Sequence, residues 1–205
     1  MSIVKLNNNG IKNVTTLGSV SLGNMVFIKK LTASSSGTLS FVDGASSVVL
    51  DSTYKEYLFT FKDIHGSQDV TDLTFQTSTN TGSSYGVTAT TTNFLVYNNE
   101  STGDAGTLYN TASDLAQSTN FAQLSQDMGA DNDQSAAGYL HLFNPSSTTF
   151  VKHFIARITN AHDSNYTMSD FGAGYFNTTS AIDEIQFKMA SGNIDSGRIA
   201  LYGIK

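Results

Sequence analysis

Gly82-Ser83-Ser84-Tyr85-Gly86 spells the G-x-S-x-G pattern of a nucleophile elbow, in which a serine on a strained strand-to-helix turn attacks a carbonyl carbon. That chemistry needs a helix after the serine. Val87-Thr88-Ala89-Thr90-Thr91 follows instead, a strand composition, so the segment reads as a hairpin turn. The four histidines, His65, His141, His153 and His162, show no HExxH or other metal-ligand spacing. His141 and His153 fall on predicted strands facing each other across Asn144, where a paired zinc or acid–base site or a pH-sensitive contact is conceivable. With no third ligand or partnered nucleophile in view, they read as sheet histidines.

Asp127, Asp131 and Asp133 are the densest acidic cluster, and hard cations such as calcium favour several loop carboxylates. The EF-hand pattern fails: counting from Asp131, no glycine stands at the sixth position and no glutamate at the twelfth. A solvated acidic loop is the reading, with structural calcium as its alternative. A polysaccharide hydrolase would need two carboxylates in a groove, and Asp183 with Glu184, or Asp131 with Asp133, are the nearest candidates. Neighbours on a strand point to opposite faces, and the loop pair has no evident partner, so neither is taken as catalytic. Tyr97, Tyr109 and Tyr166 lie beside polar residues, as rings that stack on sugars do. Most of the nine tyrosines and thirteen phenylalanines nevertheless fall where they would build a core or a subunit contact. The Asn-x-Ser/Thr triplets at Asn13, Asn99, Asn165 and Asn177 matter only in a eukaryotic secretory route. No catalytic, metal or cofactor residue is therefore assigned.

The elements that must position these residues are strands. In Ala181–Gly192, Ile185, Phe187 and Met189 alternate with Glu184, Gln186 and Lys188, the period of a half-buried strand. The run Ile199–Ile204 is apolar on both faces, which suits a strand buried between two layers, with the chain's last residues inside the fold. Further strands are predicted at Met25–Leu31, Thr38–Val42, Ser47–Leu50, Tyr54–Ile64, Leu73–Thr77, Tyr85–Thr91, Phe94–Tyr97, Gly138–Phe143 and Thr149–Ile158, with a turn at Asn144-Pro145-Ser146. Between Gly103 and Gly129 the choice is a short helix after Ser113 or a loop with a strand at Phe121–Ser125. Ser118, Thr119 and Asn120 favour the second.

This rhythm predicts an all-β antiparallel two-sheet sandwich, jelly-roll-like, with at most one short helix. Residues 21–205 form its single domain, and residues 1–20 read as an N-terminal anchor or a first edge strand. The chain has 205 residues, enough for a sizeable core. Only 14% are charged, so hydroxyls and amides carry the solubility, as on many exterior β-proteins. Cysteine is absent, which excludes disulfides and thiolate chemistry. A net charge of −6 and a pI near 4.9 offer no basic footprint for nucleic acid. No membrane span and no signal peptide is read from the sequence, so synthesis in a cytoplasm and release by assembly and lysis are expected.

Three blocks carry a resemblance: MSIVKLNNNGIKNVTTLGS, LDSTYKEYLFTFKDIH, and LHLFNPSSTTFVKHFIA with YFNTTSAIDEIQFKMASGNIDSGRIALYGIK. Together they resemble the small virion structural proteins, fibre-like or decoration, of marine tailed phages such as cyanophages and pelagiphages. The likeness spans Met1 to Lys205, and the ending LYGIK is its most specific part. It implies a non-enzymatic component of the virion exterior, a head decoration or fibre module, with other virion proteins as partners and no catalytic residues. The aromatic strands Tyr57–Phe61 and Phe150–Phe154 add the expectation of a homo-oligomer, a trimer by analogy with jelly-roll knobs. The alternative is a receptor-binding module that recognises a host surface glycan.

Overall fold

The structure, a computed structural model, describes residues 24–101 and 103–205, together with the strand pairing of 16–17 and 20–21. The reading of residues 1–20 as anchor or edge strand otherwise lies outside the described residues. In chain order the strands are β1 (Thr16–Leu17), β2 (Val20–Ser21), β3 (Met25–Thr32), β4 (Leu39–Val42), β5 (Glu56–Gly66), β6 (Thr71–Ser78) and β7 (Ala89–Asn99). There follow β8 (Ala105–Tyr109), β9 (Ala122–Met128), β10 (Ala136–Phe143), β11 (Lys152–His162), β12 (Tyr166–Phe176), β13 (Glu184–Met189) and β14 (Ile194–Ile204). A single 3-10 turn spans Thr111–Ser113, and no helix among the described residues is long and apolar enough to cross a membrane.

All pairings are antiparallel. Apart from the β1–β2 ribbon, the strands form one twelve-stranded sheet. A long flank runs β3-β14-β5-β10-β11-β12-β7-β8, and a short flank runs β9-β6-β13-β4. One residue pair, Met128 opposite His162, joins β9 to β11 and makes the sheet continuous. The result is all-β and antiparallel, as expected, with the sheet nearly closed into a barrel.

Alternation decides which side chains enter. On β13, Ile185, Phe187 and Met189 are buried, and on β5, Tyr57, Phe59 and Phe61. The Phe187 ring on the short flank meets Phe59 at 5.5 Å and Phe61 at 5.2 Å on the long one. Phe75 of β6 stacks on Phe187 at 6.2 Å and meets Phe154 at 4.9 Å and Phe176 at 5.6 Å. Offset and edge-to-face rings at these distances add stabilisation beyond their buried area.

Four expectations are corrected. Ser47–Leu50 is not a strand: the amide of Gly44 bonds to the Val48 carbonyl at 3.0 Å and that of Leu50 to the Asp43 carboxylate at 2.8 Å, so a closed loop delivers Val48 and Leu50 to the core. Tyr85–Thr91 and Phe94–Tyr97 are not two strands, because β7 is unbroken from Ala89 and Tyr85 is held off the sheet by side-chain contacts. Strands β8 and β12 were not expected at all. Finally, β14 lies between β3 and β5 but is not covered on both faces: Ile199 and Leu201 point inward, whereas Tyr202 and Ile204 are only half-buried on the outside.

Because Phe187 touches both flanks, Phe187→Ala should cost about 3–5 kcal/mol and Phe187→Leu distinctly less, read from urea unfolding midpoints.

Candidate functional site

Strands β7 and β12 pair along their length, with Tyr97 opposite Met168 and Asn99 opposite Tyr166. Tyr97 follows Leu95 on the inward face, and at this end of the sheet it lies beyond the phenylalanine core. The two tyrosine rings meet at 5.7 Å and 70°, and the His162 ring meets Tyr166 at 5.6 Å and 75°. They line a cavity of about 310 Å³ with Leu95, Leu108 and Met168 below and Asp104 and Gln126 beside them. The Tyr166 hydroxyl donates to Asp104 Oδ2 at 2.7 Å, a bond that raises the pKa of the phenol. His162 Nδ1 lies 2.7 Å from Asp163 Oδ1, and its Nε2 lies 3.9 Å from Asp127 Oδ2. Gly106 of β8 stands opposite Tyr97, and a Cβ there would lie 3.0 Å from the Tyr97 hydroxyl. The missing side chain lets the ring lie across β8.

Of the three tyrosines singled out in the sequence, two therefore converge. Tyr109 does not: its ring is on the outer face, donating to Asp114 Oδ2 at 2.6 Å. Asp104, Gln126 and His162 are neighbours that the sequence does not reveal, because it takes the pairing of β8 with β7, of β12 with β11 and of β11 with β9 to bring them together. The signal for β12 was present in Tyr166, Met168 and Asp170, which alternate with Thr167, Ser169 and Phe171.

Under the inward face near this cavity sits a buried polar cluster. Asp170 is fully buried, with Oδ2 3.3 Å from the Ser125 hydroxyl. Asn160 donates to the same hydroxyl at 2.9 Å and to the Gln126 carbonyl at 2.7 Å. Burial, reinforced by the charges of Asp72 and Asp127, pushes the Asp170 carboxyl up to about 7. Asp72 is raised as well, mainly by burial, although it accepts the Asp127 amide at 3.1 Å.

The remaining candidates are dispersed. His141 bonds to Glu56 and lies opposite Ile155, while His153 packs on Tyr175 at 5.9 Å, so the two histidines share a face without sharing a partner. His65 Nδ1 meets the Gln134 carbonyl at 2.7 Å. Asp127 points toward His162, whereas the Asp131 amide bonds to Gln134 at 3.0 Å, so the acidic triplet does not close on one point. Among the described residues no group of three His, Asp or Glu side chains is placed to hold a metal ion. Asn99, Asn165 and Asn177 lie at strand ends and turns, and Asn13 lies outside the described residues.

The G-x-S-x-G segment is a clasp. Ser84 exchanges hydrogen bonds with Asn80, its amide donating at 3.0 Å and its hydroxyl accepting at 3.0 Å. Asp183 accepts the Thr81 amide at 2.9 Å, and the buried Glu184 accepts the Tyr85 hydroxyl. Gly82 has φ +73°, and a Cβ there would lie 2.0 Å from Glu184 Oε2. Burial raises the Glu184 pKa. The sequence's two nearest catalytic candidates thus turn out to hold one another.

Two outcomes are expected. Gly82→Ala should destabilise by about 2–3 kcal/mol through the clash and the positive φ, and Tyr85→Phe by about 1–3 kcal/mol by leaving Glu184 buried without its donor, both measured by chemical denaturation. Asp170 has a raised folded-state pKa, so the folded chain holds a proton that the unfolded chain releases from about pH 4 upward. Its contribution is full below that pH and is lost as pH rises to about 7. Asp170→Asn should flatten this fall and, at pH 8, raise stability by roughly 2–4 kcal/mol, seen by comparing urea midpoints at pH 5 and pH 8. Compared with known proteins, the chain matches no family model, no curated protein and no solved structure.

Proposed function

We propose that this chain is a non-enzymatic structural protein of a tailed-phage virion, a head decoration or fibre module that assembles with copies of itself and with other proteins of the particle exterior. The resemblance carried by the blocks ending in LYGIK supports the setting. The observation that carries the assembly role is the outer face of the long flank.

Register places residues in rows across that face. One row runs Phe94, Phe171, Arg157, Tyr139, Thr60, Ala200 and Lys30. The next runs Thr92, Ala173, Ile155, His141, Leu58, Tyr202 and Phe27. Phe27 is 57% exposed, Ile155 52% and Phe94 44%. Phe94 stacks on Phe171 at 4.7 Å, and Arg157 lies over Phe171 at 4.6 Å. Arg157, Lys30 and His141 interrupt these rows, but a soluble monomer seldom leaves large apolar side chains such as Phe27, Phe94 and Ile155 exposed on one sheet face, whereas a subunit contact buries them. A trimer is the favoured assembly.

The jelly-roll-like sandwich belongs to the same proposal. The short flank β9-β6-β13-β4 lies across the phenylalanine core from the long one, and the single Met128–His162 pair is the corner where one layer passes into the other. Against an enzyme, Ser84 is engaged with Asn80 and Glu184 with Tyr85.

A second reading, recognition of a host-surface glycan, is favoured by one observation: Tyr97 and Tyr166 converge on a cavity with Asp104.

Light scattering of the purified chain should give a trimer at micromolar concentration, and a monomer there would overturn the assembly role. Phe27→Glu combined with Ile155→Glu should dissociate it, with each exposed change moving the stability of the folded subunit by only about 0.5 kcal/mol.

A further inference from the structure

We infer that the cavity between Tyr97 and Tyr166 binds a single uncharged sugar ring. The inference rests on the glycan reading and gives that reading an address. Its volume, about 310 Å³, is at the small end of ligand sites, which suits one ring rather than a bound chain. Its walls are divided as a pyranose is divided. Leu95, Leu108, Met168 and the tyrosine rings offer apolar surface to ring C–H groups, while Asp104, Gln126 and His162 offer acceptors and donors to hydroxyls.

Charge selects among sugars. Among the described residues no lysine or arginine lines the cavity, whereas Asp104 does, and Asp127 and Asp163 flank His162. A carboxylated sugar would meet like charge without compensation. Ring geometry separates a sugar from the other ligand that aromatic rings and carboxylates attract, a quaternary ammonium. Tyr97, Tyr166 and His162 stand in series, at 70° and 75° to one another, so their faces point in different directions and do not close on one point as a cage for a cation does.

The site is also built in advance. The Tyr166 hydroxyl is fixed by Asp104, and the Tyr97 ring is seated over Gly106, so little side-chain freedom remains to be lost on binding.

The test uses the full chain, titrated in saturation-transfer NMR and calorimetry with the methyl glycosides of glucose, galactose, mannose and N-acetylglucosamine, with N-acetylneuraminic acid, and with choline. At least one uncharged glycoside should saturate, with the two charged probes at least tenfold weaker. Tyr97→Leu and the exposed Asp104→Asn should each weaken that binding at least fivefold, and Tyr109→Leu, outside the cavity, should leave it unchanged. Gly106→Ala, which presses on the Tyr97 ring, should weaken it with the unfolding midpoint nearly kept. Sugar binding that survives Tyr97→Leu and Asp104→Asn would overturn the site while leaving the glycan reading standing. Failure of every glycoside to saturate, or preference for choline or N-acetylneuraminic acid, would overturn the site. Failure of the chain to bind a broad glycan array or host cells would remove the glycan reading itself.

Discussion

The contact between Phe187 and Phe75 is what the fold depends on. Each ring also reaches strands of the long flank, Phe187 through Phe59 and Phe61, Phe75 through Phe154 and Phe176. Among the described residues the strand ladders join the two flanks at one residue pair, Met128 with His162, supplemented by bonds from Gly129 to Ala161, from Ile182 to Pro145 and between Ser36 and Ile194, so ladder pairing alone would hold the short flank loosely. Side-chain packing closes it. With no disulfide, and no α-helix among the described residues to brace the sheet, β13 must both pair along its edges and fill the middle with its apolar face.

That arrangement concentrates apolar burial in one half of the interior and leaves polar groups buried around it. Asp170 with Ser125, which Asn160 also bonds, Glu184 with Tyr85, and Lys152 with two carbonyls at 3.0 Å each give a buried polar group a hydrogen-bond partner. Burial lowers the pKa of Lys152 as it raises those of the acids. Lys152 and Glu184 lie at strand ends, where they fix the loops they bond, whereas Asp170 and Ser125 lie mid-strand and link β12 to β9. Such polar pairs specify one arrangement, a task that interchangeable apolar residues perform less well.

Legibility in the sequence followed the same division. β13 and β14 were readable because Ile185, Phe187, Met189, Ile199 and Leu201 keep strict period two over a buried face. β12 escaped because between Met168 and Phe176 its inward positions are Asp170, Gly172 and Gly174, none of them a large apolar residue. Ser47–Leu50 misled for the opposite reason: Val48 and Leu50 are buried, but a loop rather than a ladder satisfies their backbone. The tyrosine site was half legible. Composition marks Tyr97 and Tyr166 as rings beside polar residues, yet only the pairing of β7 with β8 and β12, of β12 with β11, and of β11 with β9 places Asp104, His162 and Gln126 around them. The serine motif failed as chemistry for a reason already in the sequence, since nothing after Tyr85 favours a helix.

One register serves two surfaces. Along β7, Asn93, Leu95 and Tyr97 face inward and end in the tyrosine cavity, while Phe94 and Val96 face outward. Along β12, Met168 and Asp170 face in and Phe171 faces out, stacked on Phe94. A slip of β12 by one residue against β7 would bring Phe171 inward and away from Phe94, turn Met168 and Asp170 out, and take Tyr166 away from Asp104. The buried Asp170 favours this register from within, because it is here that it meets the Ser125 hydroxyl, itself held by Asn160. A polar group that weakens the core in isolation fixes the alignment on which both the outer apolar rows and the inner cavity are built.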